Sequence, residues 1–262
     1  MSAGPAAPEA PLARGLLAGR TVLVTASAGS GIGFATARRC AEEGASVMLS
    51  DAHERRVGEA AAQLERLTGV RTPARRCDVT REEDVRALAE AAIAELGHID
   101  VLVNNAGLGG YAQVAEMTDE QWSRVLDVTL TGTFRMTRAL LPHMTARGRG
   151  AIVNNASVLG WRAQEGQAHY AAAKAGVMAF TRCVAMEVAA AGVRVNAVAP
   201  SLALHANLEK ATPASLLEEL RKKEAFGRSA ELFEVANVIV FLASDYASYL
   251  TGEVISVSSQ HP

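Results

Sequence analysis

Tyr170 and Lys174 stand four residues apart in a stretch, Ala168–Ala191, whose pattern reads helical. On a helix this spacing puts both side chains on one face. A phenol with a pKa of about 10 is a poor base at neutral pH. A neighbouring ammonium stabilises the phenolate and lets the pair exchange a proton with a carbonyl or alcohol oxygen. A Tyr-x-x-x-Lys pair alone also occurs on solvated helix faces, so its meaning depends on the rest of the chain.

A second set of residues suits an anionic cofactor. The β-branched run Thr21–Thr25 ends in Ala26-Ser27-Ala28-Gly29-Ser30-Gly31-Ile32-Gly33, and a helical pattern follows at Phe34–Glu43. Glycines let backbone amides approach a pyrophosphate, and a helix N-terminus favours its charge. A tight glycine turn is the plainer reading, but the strand–loop–helix context is the one a dinucleotide fingerprint requires. Asp51 follows about 20 residues later, at the end of a second strand. A carboxylate there can accept hydrogen bonds from the adenosine ribose and would repel a 2′-phosphate, favouring NAD over NADP. His53, Arg55 and Arg56 lie nearby and weigh the other way, and Asp51 could instead cap the helix that begins at Glu54.

The elements that must position these residues alternate along the chain. Strands are predicted at Thr21–Thr25, Ala45–Ser50, Val70–Cys77, Ile99–Asn104, Gly150–Asn155, Val193–Val198 and Glu253–Val257. Helices are predicted between them, with capping boxes at Thr80–Glu83 and at Thr118–Gln121. The second box opens one long helix to about Ala146. Near-continuous apolar strands separated by helices predict a single doubly wound, Rossmann-type α/β parallel sheet with helices on both faces. Residues 1–15 read as a flexible tail, 16–262 as one domain, and about 201–225 as short helices forming a substrate lid.

Composition narrows the partners. With 26 Lys+Arg against 28 Asp+Glu, the net charge of −2 offers no basic face for nucleic acid. Cys40, Cys77 and Cys183 are scattered and odd in number, which predicts neither a zinc site nor disulfides and points to a reducing, cytoplasmic setting. No metal site and no membrane span are expected.

The glycine loop, Asn104-Asn105-Ala106-Gly107, Ser157 thirteen residues before Tyr170, Lys174, Asn196, Pro200 and the stretch Phe241–Gly252 together resemble the short-chain dehydrogenase/reductase family, over nearly the whole chain. The resemblance implies an NAD(P)-dependent oxidoreductase in which Ser157, Tyr170 and Lys174 are catalytic. Ser157 would hold the substrate oxygen, and Lys174 would also bond the nicotinamide ribose. Cofactor contacts would come from Thr25, Ser27, Gly29, Ser30, Gly31, Ile32 and Gly33 at the diphosphate, and from Asp51, Asp78 and Val79 at the adenosine. Asn104, Asn105, Ala106 and Gly107 would line the floor, and Pro200 and Ser201 the nicotinamide end. A homotetramer or homodimer would form through the long helices.

The chain departs from the family pattern in several places. Ala26 follows Thr25 where a glycine is usual, and the loop to Gly31 is one residue longer, with Gly29 as the compensating glycine. Thr129 takes the place of a catalytic asparagine that anchors a water largely through its backbone carbonyl; activity is expected to survive. Ser201 replaces a glycine, His205 a threonine that contacts the nicotinamide amide, and Ser258-Ser259 a Gly-Gly pair.

Leu108, Tyr111, Leu159, Trp161, Leu202, Leu204 and Leu208 are candidates for an apolar cleft, or are plain packing residues. Arg162, Lys210, Arg221 and Lys222 could meet coenzyme A phosphates, or be ordinary solvated charges. His169 is expected at the surface or an interface. The expected reaction interconverts a secondary alcohol and a ketone on a bulky, steroid-like or acyl-CoA substrate, as in actinobacterial steroid breakdown. The alternatives are a 3-oxoacyl thioester reductase of fatty-acid type and a catalytically weak nucleotide-binding relative.

Overall fold

The central predicted strands carry β-branched or aliphatic side chains on both of their faces, and such strands are stable only when both faces are covered. The computed structural model, which describes residues 6–205, 208–209 and 214–260, meets this requirement with one seven-stranded parallel sheet. The strands are β1 (Thr21–Val24), β2 (Ser46–Asp51), β3 (Ala74–Arg76), β4 (Val101–Asn104), β5 (Gly150–Asn155), β6 (Val193–Pro200) and β7 (Val254–Val257), in the order β3-β2-β1-β4-β5-β6-β7.

Eight helices are described: α1 (Ile32–Glu42), α2 (Glu54–Thr68), α3 (Glu82–Leu96), α4 (Asp119–Leu126), α5 (Gly132–Ala146), α6 (Ala168–Val188), α7 (Ala214–Lys223) and α8 (Leu232–Ala243). Alternate residues of β1 divide between two cores. Val22 and Val24 pack with Phe34, Leu64 and Ile239 of α1, α2 and α8. Leu23 packs with Leu88, Leu140 and Val184 of α3, α5 and α6. Each such aliphatic side chain contributes about 1.5–3 kcal/mol by leaving water.

Three expectations are corrected. The long helix from Thr118 is broken: α4 gives way to a π-helical turn, Asp127–Thr131, before α5 begins. The Thr118–Gln121 capping box is present, but the Thr80–Glu83 box is not. Arg81 is the N-cap of α3 without a side-chain bond, and the Thr80 hydroxyl instead donates to Asp78 Oδ1 at 2.8 Å. The third strand is only three residues long, because its exposed Arg75 and Arg76 offer the sheet no apolar face.

Before Leu16, the predicted tail makes contacts with the body. The Arg14 amide donates to Glu43 Oε2 at 2.9 Å, and Arg39 donates to the Pro11 carbonyl at 2.8 Å.

The order of strands reverses between β1 and β4. In open parallel sheets the crevice beyond the strand C-termini at such a reversal is where ligands bind. The loops after β1, β4, β5 and β6 all open there.

Candidate active site

The loop after β1 is fixed by side chains on both flanks. Thr25 Oγ1 accepts from the amides of Asn105 and Ala106 at 3.0 and 3.1 Å, joining β1 to the loop after β4. Ser27 is fully buried; its hydroxyl donates to the Val24 carbonyl and accepts from the Ser50 amide, both at 3.0 Å. Ala26 holds a left-handed φ of +49°, alone among the described non-glycine residues. This is the position where the family's glycine is usual, so the alanine adopts the glycine conformation at a steric cost. Gly29 is left-handed as well, with φ +95°.

Gly31 caps α1 with no side chain, and the first turn of α1 holds no acidic residue. The Gly33 side is tight: a Cβ there would fall on the Ala26 carbonyl and 2.5 Å from Asn105 Nδ2. Bare amides, a positive helix end and small residues fit a diphosphate. Ser30 is exposed on the loop, and Ile32 opens the helix. His205 packs over the same loop, 4.0 Å from where a Gly31 Cβ would stand.

Farther along the sheet edge, Asp51 ends β2. Its carboxylate accepts from the amides of Ala28 at 3.3 Å and His53 at 3.0 Å, with Arg56 3.8 Å away. Burial pushes its pKa up, against the pull of the Ala28 and Ala52 amides and Arg56. His53, not Asp51, is the N-cap of α2. A cavity of about 310 Å³ beside it is lined by His53, Arg55, Arg56 and Arg76. Burial also works to raise the Asp78 carboxyl, but the Thr80 amide and hydroxyl and Arg76 outweigh it and hold it below the usual range. Val79 is buried against Gly132.

The other cluster lies beyond β5. Ser157 is nine-tenths buried, and its hydroxyl lies close enough to Tyr170, the third residue of α6, to favour the phenolate. One turn below, Lys174 is buried and its Nζ donates to the Asn155 carbonyl at 2.5 Å, 5.6 Å from the Tyr170 ring centre. Burial pushes the Lys174 ammonium down to about 8. Burial raises the Tyr170 phenol, and only the Ser157 hydrogen bond draws it down. The Lys174 ammonium donates to the Asn155 carbonyl and is not among the groups that draw the Tyr170 phenol down.

Thr129 lies fully buried in the π-helical turn. Its hydroxyl accepts from the Leu108 amide at 3.0 Å and lies 3.3 Å from the Leu108 carbonyl, to which it can donate. The Thr133 hydroxyl donates to its backbone carbonyl at 2.8 Å. Gly107 lies between: a Cβ there would stand 3.3 Å from Lys174 Nζ and 3.9 Å from Thr129 Oγ1. Pro200 is buried at the end of β6, and the Ser201 amide donates to the Val257 carbonyl at 3.1 Å.

Asn155 was missed by sequence reasoning. Its carbonyl holds Lys174, and its Nδ2 donates to Asn105 Oδ1 at 2.9 Å. The only signal for it was a polar residue at the end of a buried central strand. Asn104, assigned to the cofactor floor, is corrected: it is buried between sheet and α5, donating to Thr137 and Asn154. His169 is corrected as well, being buried beneath Gly110. Of the cleft candidates, Tyr111 and Trp161 are exposed and Leu202 is buried, while Leu108, Leu159, Leu204 and Leu208 are half-buried. Lys210 lies outside the described residues, and Arg221 pairs with Glu218 at 3.0 Å. Among the described residues no group of His, Cys, Asp and Glu could hold a metal, and no helix is long and apolar enough to cross a membrane.

The sequence model of a family described as enoyl-(acyl carrier protein) reductase, adh_short_C2, matches residues 26–259. The chain is also similar to a short chain dehydrogenase from Mycobacterium smegmatis of known crystal structure. Identity is 55% over 98% of this chain and 99% of that one, with a TM-score of 0.87. The chain belongs to the short-chain dehydrogenase/reductase family. As a member, it is a nicotinamide-dinucleotide-dependent oxidoreductase that interconverts a secondary alcohol and a ketone on a small molecule.

Two curated family members narrow the comparison. One is the (5R,7aS)-5-hydroxy-7a-methyl-1-oxo-2,3,5,6,7,7a-hexahydro-1H-indene-carboxyl-CoA reductase of Mycobacterium tuberculosis, 61% identical over 98% of both chains. The other is the cis-4-hydroxycyclohexanecarboxylate dehydrogenase of Sinomonas cyclohexanicum, 44% identical over 90% of this chain and 94% of that one.

Proposed function

We propose that this protein interconverts a ring ketone and its secondary alcohol on an alicyclic carboxyl-CoA thioester, using NAD(H), within steroid-type ring degradation. The observation that carries the reading is the grouping of Ser157 beside Tyr170, with buried Lys174 one helical turn on, at the edge where the glycine loop opens. The ring and thioester follow from the relatives, whose names specify a fused bicyclic carboxyl-CoA and a cyclohexane carboxylate. Half-buried Leu108, Leu159 and Leu204 supply apolar walls for such a ring.

Ser157 and Tyr170 donate to the ketone oxygen and stabilise the charge that develops on it. When bound, the reduced nicotinamide supplies a hydride to the carbonyl carbon. Tyr170 passes its phenolic proton to the same oxygen, completing the alcohol. The high phenol pKa keeps that proton in place at neutral pH. The phenolate left behind sits in the first turn of α6, where the helix dipole favours negative charge, with Lys174 one turn below. Lys174, and the Thr129 carbonyl holding a water, return the proton. In oxidation the same residues act in reverse.

Asp51 receives the adenosine ribose hydroxyls, Asp78 the adenine amino group, and the residue 25–33 loop the diphosphate. A carboxylate at Asp51 disfavours a 2′-phosphate, which supports NAD(H) despite the neighbouring arginines. A homo-oligomer through α5 and α6 would cover the exposed Phe134 on α5. Three free cysteines support a reducing cytoplasm.

The test is absorbance at 340 nm with cyclic ketones, as free acids and as CoA thioesters, and each reduced dinucleotide. Turnover fastest with a ring-keto CoA thioester and NADH is expected. Turnover of only linear 3-oxoacyl thioesters with NADPH would replace this reading by the fatty-acid type.

A further inference from the structure

Two walls of the cleft come from separate parts of the chain. One is the loop after Ser157, through Val158–Gly160 to Trp161 and Arg162. The other is α7 with Glu224 just beyond it. The C-terminal residues join them. Arg162 donates to Gln260 Oε1 at 2.8 Å, and Gln260 Nε2 donates to Glu224 Oε1 at 2.8 Å. Ser259 Oγ donates to the other carboxylate oxygen, also at 2.8 Å. Glu224 is 4% exposed, so its charge is removed from water and depends on these donors. Gln260 Nε2 and Oε1 thus bridge a buried anion and a cation that belong to opposite walls. The Gln260 amide also donates to Ser258 Oγ at 3.0 Å, which fixes the turn that presents the side chain.

We infer that Gln260 is a positioning residue for bulky substrates: its side-chain amide clasps the Arg162 loop to Glu224 and sets the width of the cleft. Neither Gln260 nor Glu224 touches the cluster of Ser157, Tyr170 and Lys174, so the clasp acts on where a large ring sits. A small ketone, which needs only Ser157 and Tyr170, is indifferent to it. The inference rests on the reading that this cleft receives the substrate.

The variants are Gln260→Ala, Gln260→Glu and the double variant Gln260→Glu/Glu224→Gln. The first removes the bridge. The second sets a carboxylate against Glu224. The double variant restores one anion and one amide between Arg162 and α7, with their order exchanged. Hydrogen exchange of residues 158–167 and 221–228 reads the clasp directly and needs no activity. Faster exchange is expected in both single variants, with recovery in the double; unchanged exchange in Gln260→Ala overturns the clasp. Kinetics with NADH then read its role, using cyclohexanone as the small probe and 1-decalone as the bulky one. In Gln260→Ala, KM for decalone is expected to rise about fivefold, the scale of one net hydrogen bond, with kcat and the cyclohexanone and NADH constants unchanged. The double variant should recover it. Equal changes for both ketones, or a fall in kcat alone, overturn the specificity role. If the wild type turns over neither these ketones nor a ring-keto CoA thioester, the proposed reaction fails while hydrogen exchange still decides the clasp.

Discussion

Thr129 shows how much one short side chain can tie together. Its hydroxyl meets both the amide and the carbonyl of Leu108, so one short group ties the π-helical turn to the loop after β4. Thr129→Val keeps the shape and deletes both bonds, leaving a buried amide and carbonyl without that partner. The expected cost is about 1–3 kcal/mol of stability together with a loss of turnover, whereas Thr129→Ser retains both. Urea unfolding and 340 nm rates on the three proteins check this; equal behaviour of the valine variant would show the bonds to be idle. Ser157, Tyr170 and Lys174 were legible because their side chains perform their roles and their spacing is fixed. Leu108 meets Thr129, and Asn155 holds Lys174, through backbone atoms that every residue possesses, so the residue types did not announce these contacts.

At the scale of elements, the strands and most helices followed from apolar patterning, and the errors have physical sources. A π-helical turn adds one residue to a helix without disturbing its polar and apolar alternation enough to be seen, so α4 and α5 read as one helix. The Thr80 hydroxyl donates to Asp78 instead of accepting from an amide of α3. The turn after β1 carries a measurable penalty, since Ala26 occupies φ +49°. Left-handed backbone costs an L-residue about 1–2 kcal/mol, so Ala26→Gly is expected to raise the thermal midpoint while leaving dinucleotide affinity within a factor of two. Differential scanning calorimetry checks it; a lower midpoint would mean that the Ala26 methyl contributes more by packing than its conformation costs.

Across the whole molecule, burial of ionisable groups sets the alkaline response. Lys174 falls from 10.5 to about 8 on folding, so between these values the unfolded chain holds a proton that the folded one has lost. Stability therefore rises with pH from about 8. Cys40 and Cys77 move the opposite way, from 9.0 to about 12, and the folded chain keeps two protons that the unfolded chain releases. Above 9.0 these two outweigh Lys174, and stability falls. The urea midpoint is thus expected to peak near about pH 9, and a steady fall from pH 7.5 upward would contradict the burial of Lys174.

In the proposed reaction the sheet edge separates two tasks: the loop after β1 would hold the diphosphate, and Tyr170 beyond β5 would move the proton. The most direct test measures both in Tyr170→Phe, with NADH affinity by fluorescence titration and ketone-dependent NADH oxidation at 340 nm. The account predicts unchanged affinity and a rate lowered by about 10²–10⁴-fold. A rate equal to that of the wild type would contradict it.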